Sequence, residues 1–270
     1  VKKQVIHTAE LTEWRETVGK LVSASGFVSM VRGDKPVLIK PNLVTADKPP
    51  ITTPLELCAA LCGALRAGLP GVRIIVAEGC GSLDYDTAHV FKKLGYTRLA
   101  EDFGAELLDL NSAECVKISR PECKRFPEMW LPKILFESFV ISVPVLKAHS
   151  MAGVTLSMKN MMGCAPPKHY NAGGWQKSAF HTGMQEAVFD LNRYRAPDFS
   201  VLDATVGMSE AHLWGPICEP QPNIVAFCAD PVAIDAFGAS LLRKNPSSVG
   251  HIKMADGVLG FMRPGKIVRL

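Results

Sequence analysis

The sequence predicts an α/β fold: a mostly parallel sheet with helices on both faces, Rossmann-like in layout. Three observations predict it. Strand-like and helix-like segments alternate along most of the chain. The strand-like run FVISVPVL (139–146) is almost wholly apolar and VRIIVAEG (72–79) has an unbroken apolar centre, as buried strands do. Four strand-like runs end in polar residues, at Asn42, Glu78, Lys147 with His149, and Asp203. In a parallel sheet those ends meet at one edge, where open α/β sheets bind ligands.

In order, residues 10–25 read as a helix, with Leu11, Trp14, Val18 and Leu21 on one stripe and Gly26 to stop it. VLIKPNLV (37–44) reads as a strand entering a loop. TPLELCAALCGALRAGL (53–69) reads as a helix with Thr53 as N-cap, Pro54 in the first turn and Glu56 closing a capping box. Residues 72–79 follow as a strand, 86–95 as a short helix ending at Gly95, 105–110 as a strand, and ECVKI (114–118) as a further one. The run 139–146 is a strand by its β-branched content, with Pro144 bending it near its end. The loop 165–179 carries APP and NAGG and reads as irregular and exposed. Residues 181–194 read as a helix, 199–207 and 223–229 as strands. The helix 230–243 opens with Asp230 as N-cap and Pro231 in the first helical position. The 270 residues suit one domain, 1–270, the alternative being two lobes at about 1–150 and 151–270.

Composition narrows the function. Apolar residues make up 47% and charged residues 21%, an ordinary globular balance. No apolar run reaches the ~18 residues of a membrane helix. The segment VKKQVIHTAEL lacks the apolar core of a secretion signal. The expectation is a cytoplasmic protein with no membrane partner. The eight cysteines are scattered without a C-x-x-C pair, which argues against a zinc ribbon or a ferredoxin-type run and for reduced core cysteines.

Charge is unevenly placed. No Asp or Glu occurs between Glu137 and Glu186, while Lys147, Lys159, Lys168 and Lys177 do. The rest of the chain then holds 30 − 4 = 26 basic residues against 26 acidic ones, so the net +4 lies in this interval. His149, His169 and His181 lie there too. Such a stretch favours a small anionic molecule, a carboxylate or a phosphate. The lack of Arg and the few aromatics argue against nucleic acid.

His149 and His181 are the candidates for proton transfer, because imidazole titrates near neutral pH. Lys159 is the third catalytic candidate, as a partner for an anion or as an amine. Lys147, Asn160, Asn42, Glu78 and Asp203 are candidate ligand-binding residues. Gly79, Gly81 and Ser82 after Glu78 could admit a phosphate to backbone N–H groups. Asp235, inside an apolar helix, reads as structural support more than as a ligand group. His181 and Cys164 are the candidate metal ligands.

VLIKPNLV, ITTP, VAEG, VPVLKAHSMAGVTLSMKNMMG, the later His181, VLDATVGMSE and CADPVAIDAFGASLL resemble the DUF362 family in order and spacing, over about residues 35–260. The resemblance brings no established reaction. Some members resemble iron–sulfur proteins through an added ferredoxin-type cysteine run, which this chain lacks. His149, Lys159 and His181 are also similar to an arrangement in the lactate racemase family. That similarity implies a histidine acid/base, a lysine tethering a nickel-pincer cofactor, and a later histidine on nickel. LSM before Lys159 departs from that family's glycine pair and basic residue, and its upstream catalytic histidine has no counterpart, so a nickel-pincer cofactor is disfavoured.

The function expected is an enzyme acting on a small anionic substrate by proton or hydride transfer, isomerase- or racemase-like or an oxidoreductase. The alternatives are an iron–sulfur or metal-linked redox accessory protein with a ferredoxin-like partner, and a non-catalytic binding protein for an anionic metabolite.

Overall fold

The computed structural model describes residues 4–31 and 34–270. Residues 1–3, part of the segment read above for a secretion signal, and residues 32–33 lie outside the described ones. The strands are β1 (Val5–Glu10), β2 (Val37–Pro41), β3 (Ile74–Glu78), β4 (Glu106–Asp109), β5 (Cys115–Ser119), β6 (Glu128–Pro132), β7 (Phe139–Val143), β8 (Val145–His149), β9 (Gly153–Thr155), β10 (Phe199–Met208), β11 (Ile224–Cys228) and β12 (Lys266–Arg269). The helices are α1 (Trp14–Ser25), α2 (Leu55–Gly68), α3 (Thr87–Lys93), α4 (Arg98–Phe103), α5 (Ile134–Glu137), α6 (Ser157–Asn160), α7 (Pro167–Tyr170), α8 (Met184–Arg195), α9 (Pro231–Leu241) and α10 (Gly250–Ala255), with short 3₁₀ turns between.

One mixed sheet runs β12-β1-β11-β10-β7-β2-β3-β4, with β8 beside β10 and β9 on β8. Only β11 and β9 oppose the common direction. β5 and β6 form a separate hairpin. Alternation along the central strands feeds two cores. Val37, Ile39, Ile74, Val76, Ile141 and Val143 pack on one face with Val18 and Leu21 of α1 and Leu57, Leu61 and Leu65 of α2. Leu38, Ile75, Ala77 and Val140 pack on the other with Ala187 and Leu191 of α8. Farther along that face, Leu202 and Ala226 pack with Val232 and Ile234 of α9. Both faces are covered, so the strands read as continuous apolar runs.

Four sequence expectations are corrected. Residues 5–10, whose last residue was read into the first helix, form β1; α1 starts at Trp14, where the Glu13 carboxylate accepts from the N–H groups of Arg15 and Glu16. Thr53 does not cap α2: its hydroxyl accepts from Asn42 N–H at 2.8 Å and donates to Val143 C=O at 2.8 Å, tying β2 to β7. The loop 165–179 holds α7. The last strand-end residue is the fourth. β10 continues through Asp203 to Met208, because its neighbour breaks at Pro144 into β7 and β8 and β10 pairs with both halves in turn. Asp203 N–H itself bonds the Pro144 carbonyl at that break. Pro144 thus divides the strand, as its fixed φ and missing N–H require.

Candidate functional site

β2 is where the sheet order reverses. From it the chain steps outward to β3 and β4, then returns to β7 and β10 on its other side. Ligands in open α/β sheets sit beyond the strand carboxyl ends at such a point. A cavity of about 470 Å³ lies there, reached by β2, β3, β8 and β9 and walled by α6 and by segments at 42–44, 79–81, 150–151, 162–163, 175–181 and 212–214.

Its floor is a buried polar network. Lys40 Nζ donates to both oxygens of Glu78 (2.8 and 2.9 Å), to the Pro41 carbonyl and to Asn160 Oδ1. Glu78 also accepts from the N–H groups of Leu43 and Gly79, each at 2.8 Å. Asn42 Nδ2 donates to Asn160 Oδ1, and Asn160 Nδ2 donates to the Lys40 carbonyl and to Ser142 Oγ. Lys147 Nζ reaches Asn42 Oδ1 at 2.8 Å and the Ile51 carbonyl. Burial, with Lys159 next in weight, pushes Lys147 down to about 7. Gly163 closes the network from above: a side chain there would overlap both Glu78 and Lys40. Lys177 Nζ binds the carbonyls of Gly79 (2.6 Å) and Gly163 (3.0 Å).

Lys159 differs from these three lysines. It is 9% exposed and lines the cavity. Among the described residues its Nζ has no hydrogen-bond or ion-pair partner, and burial pushes it down to about 8. It is carried on the one-turn helix α6, whose first amides are pinned from outside. Asp235 Oδ1 accepts from Ser157 N–H (2.7 Å) and Oδ2 from Met158 N–H (3.0 Å). Burial raises Asp235 to about 7, against the pull of those two bonds. Its role is the structural one expected.

The imidazoles line the same cavity. His149 Nδ1 accepts from the N–H groups of Met151 and Ala152, each at 3.1 Å. Its proton therefore sits on Nε2. Burial, then Lys159 and the two other cavity histidines, push it down to about 2. His212 stacks on it with centroids 4.1 Å apart and is pushed to about 3 by burial and Lys159. His181 is lowered by burial and then by Lys159, against backbone hydrogen bonds with Ser178 and Lys177 that raise it. Its Nδ1 accepts from the Trp175 indole N–H at 3.2 Å, and an indole can only donate, so its proton is also on Nε2. Two further polar atoms on the wall, Thr155 Oγ1 and Gln176 Oε1, are buried without a partner.

Of the residues expected from sequence, His149, His181, Lys159, Asn160, Asn42 and Glu78 line the cavity together. Lys147 lies one hydrogen bond below it. Asp203 does not reach it: its carboxylate turns back on Thr205 N–H and Oγ1. Cys164 is fully buried outside the lining, its thiol pushed up to about 11 by burial. Sequence reasoning missed Lys40, Thr155, Gln176 and His212, and placed Lys177 in the basic interval without singling it out. Lys40 carried a signal, a charge inside the apolar strand VLIKP; the loop position of His212 carried none.

Fold and site together define an α/β protein with a cationic, histidine-lined cavity at the strand ends. Comparison narrows the class. The family described as Domain of unknown function (DUF362) matches residues 37–240, and the chain belongs to it. A thylakoid-associated protein of Synechocystis sp. is 27% identical over 238 residues, 83% of this chain and 68% of that protein. The lactate racemase apoprotein from Thermoanaerobacterium thermosaccharolyticum is similar in structure, with a TM-score of 0.44 and 13% identity over 84% of this chain. The match spans 55% of that structure's length.

Proposed function

We propose that the chain is an enzyme that binds a small anionic substrate in this cavity and moves a proton on it. Lys159 carries the reading. Each other lysine of the site has at least two acceptors, while Lys159 is nearly buried on the cavity wall with none. A carboxylate or phosphate is the acceptor such an ammonium lacks. Among the described residues the only carboxylate on the wall, Glu78, is already saturated by Lys40 and two amides.

The roles of the three candidates separate. Protonating His149 at Nδ1 would break two backbone bonds, so its ring stays neutral and offers Nε2–H as a donor. His181 offers Nε2–H in the same way. In this reading neither is the resting base; they stabilise negative charge developing on a substrate oxygen. Lys159 is the group that can exchange a proton: burial lowers it to about 8, so its neutral form is populated before the anion binds and shrinks once the anion pairs with it. An amine and imidazoles supply proton transfer unaided, whereas hydride transfer needs a redox cofactor.

An iron–sulfur cluster does not fit these residues. Seven of the eight cysteines are buried, and among the described residues no three His, Cys, Asp or Glu side chains gather as metal ligands. Lys159 and His181, the holders implied by the lactate racemase resemblance, do share the cavity. His181 Nδ1 accepts from Trp175, however, which puts the ring proton on Nε2, the nitrogen a metal would need bare, and among the described residues no third His, Cys, Asp or Glu joins them. A reducing cytoplasmic setting belongs to this reading, in keeping with cysteines scattered without a C-x-x-C pair. No helix among the described residues is long and apolar enough to cross a membrane.

Incubation with 2-hydroxy and 2-oxo acids in heavy water tests the chemistry. The wild type should exchange the carbon-bound proton of a bound acid, seen by NMR, and Lys159→Met should not. Acids that bind without exchange would reduce the reading to anion binding.

A further inference from the structure

We infer that the anionic group is only the head of the substrate, and that its remainder is a flat apolar ring system seated against Trp175 and Trp214. The inference rests on the anion reading above and names the substrate class. Size is the first observation. A water's share of liquid is roughly 30 Å³, and a carboxylate or phosphate head takes only a few such shares. The cavity of about 470 Å³ leaves most of its space for something else.

The wall is the second observation. Val44, Met151, Met162, Leu213, Trp175 and Trp214 line the cavity alongside the lysines and histidines. Trp175 and Trp214 are 57% and 69% exposed, against 37% for Trp130, with Trp14 half-buried. Large apolar surface left open beside convergent polar groups is the anatomy of a ligand site.

Both indoles are also tied to the polar machinery. Trp175 donates to His181 and stands edge-on to it, with centroids 5.4 Å apart at 71°. Trp214 lies 6.0 Å from His212, which stacks on His149. A run of rings thus connects the buried donor His149 to the exposed Trp214. Flat π faces bind flat partners by stacking or edge contact. The positive end of the site would hold the head, and the indoles the ring.

Calorimetric titration of the full chain with inorganic, methyl, phenyl and 1-naphthyl phosphate tests this. The first two should bind within about threefold of each other, and phenyl phosphate at least about tenfold tighter, with naphthyl tighter still. Trp214→Ala, an exposed position, should cut the aryl preference below about threefold while phosphate affinity moves less. Trp175→Phe, which keeps a ring, should retain most of the preference. Methyl and phenyl phosphate binding alike to the wild type would overturn the inference, as would a preference undiminished by Trp214→Ala. If Lys159→Met binds every phosphate as the wild type does, the anion reading fails, and an aryl preference surviving there would leave the ring pocket standing. If none of the four phosphates binds, both fail.

Discussion

Lys40 and Lys159 are buried lysines in one site, and substitution should separate them. Lys40 neutralises Glu78, so Lys40→Met would strand a buried carboxylate. The expected cost is about 3–5 kcal/mol in urea unfolding. Lys159 satisfies no partner, so Lys159→Met should change stability by less than about 1 kcal/mol or raise it. A loss as large as that of Lys40→Met would show that Lys159 is structural. Titration gives a second test. Lys147, Lys159 and Lys177 are lowered, mainly by burial, to about 7, 8 and 8. Between pH 7 and 8 the unfolded chain keeps these protons while the folded chain sheds them, so stability should rise with pH, by on the order of 1 kcal/mol per unit, until the unfolded thiols begin to ionise near their ordinary pKa of about 8.5. Below pH 7 the raised Asp235 acts oppositely, and at higher pH the raised cysteines do. Flat or falling stability over that window, measured in buffer free of phosphate and carboxylate, would contradict the buried-amine picture. Lys159 and His149 were legible in sequence because an acid-free interval isolates them. The separate roles proposed for them were not, because they depend on which ring nitrogen meets the amides of residues 151 and 152.

At the scale of elements, α6 is too short to hold itself, and Asp235 from α9 holds it. Asp235→Ala should cost about 1–3 kcal/mol for two orphaned amides. It should also weaken anion binding, because Lys159 rides on that turn. Asp230→Ala, at the N-cap of α9, should cost about 1–2 kcal/mol and leave binding intact. Equal binding losses in both variants would make the effect one of general destabilisation. The central strands were legible because each carries its own apolar run. β1 and β12 were not: they pair with each other and β1 pairs with β11, more than 200 residues away in the chain, so their strand character is set by distant partners. Asp203 was misplaced for a related reason, since where β10 ends depends on the break at Pro144 in its neighbour.

For the molecule as a whole, the sheet draws strands from Val5–Glu10 to Lys266–Arg269, and β10 and β11 join the β1 edge to the site strands. We propose that the chain unfolds as one domain. Circular dichroism and tryptophan fluorescence should then report one coincident transition; two resolved transitions would favour two lobes. In the function proposed above, this fold presents a buried amine, unpartnered among the described residues, to an anion at the strand ends. NMR titration of the Lys159 side chain is the sharpest check. A pKa near 8 is expected in the free protein, rising by about one unit or more when phosphate or a small carboxylate saturates the site, because an opposite charge favours the ammonium. An ordinary lysine pKa near 10.4, unmoved by any such anion, would contradict it.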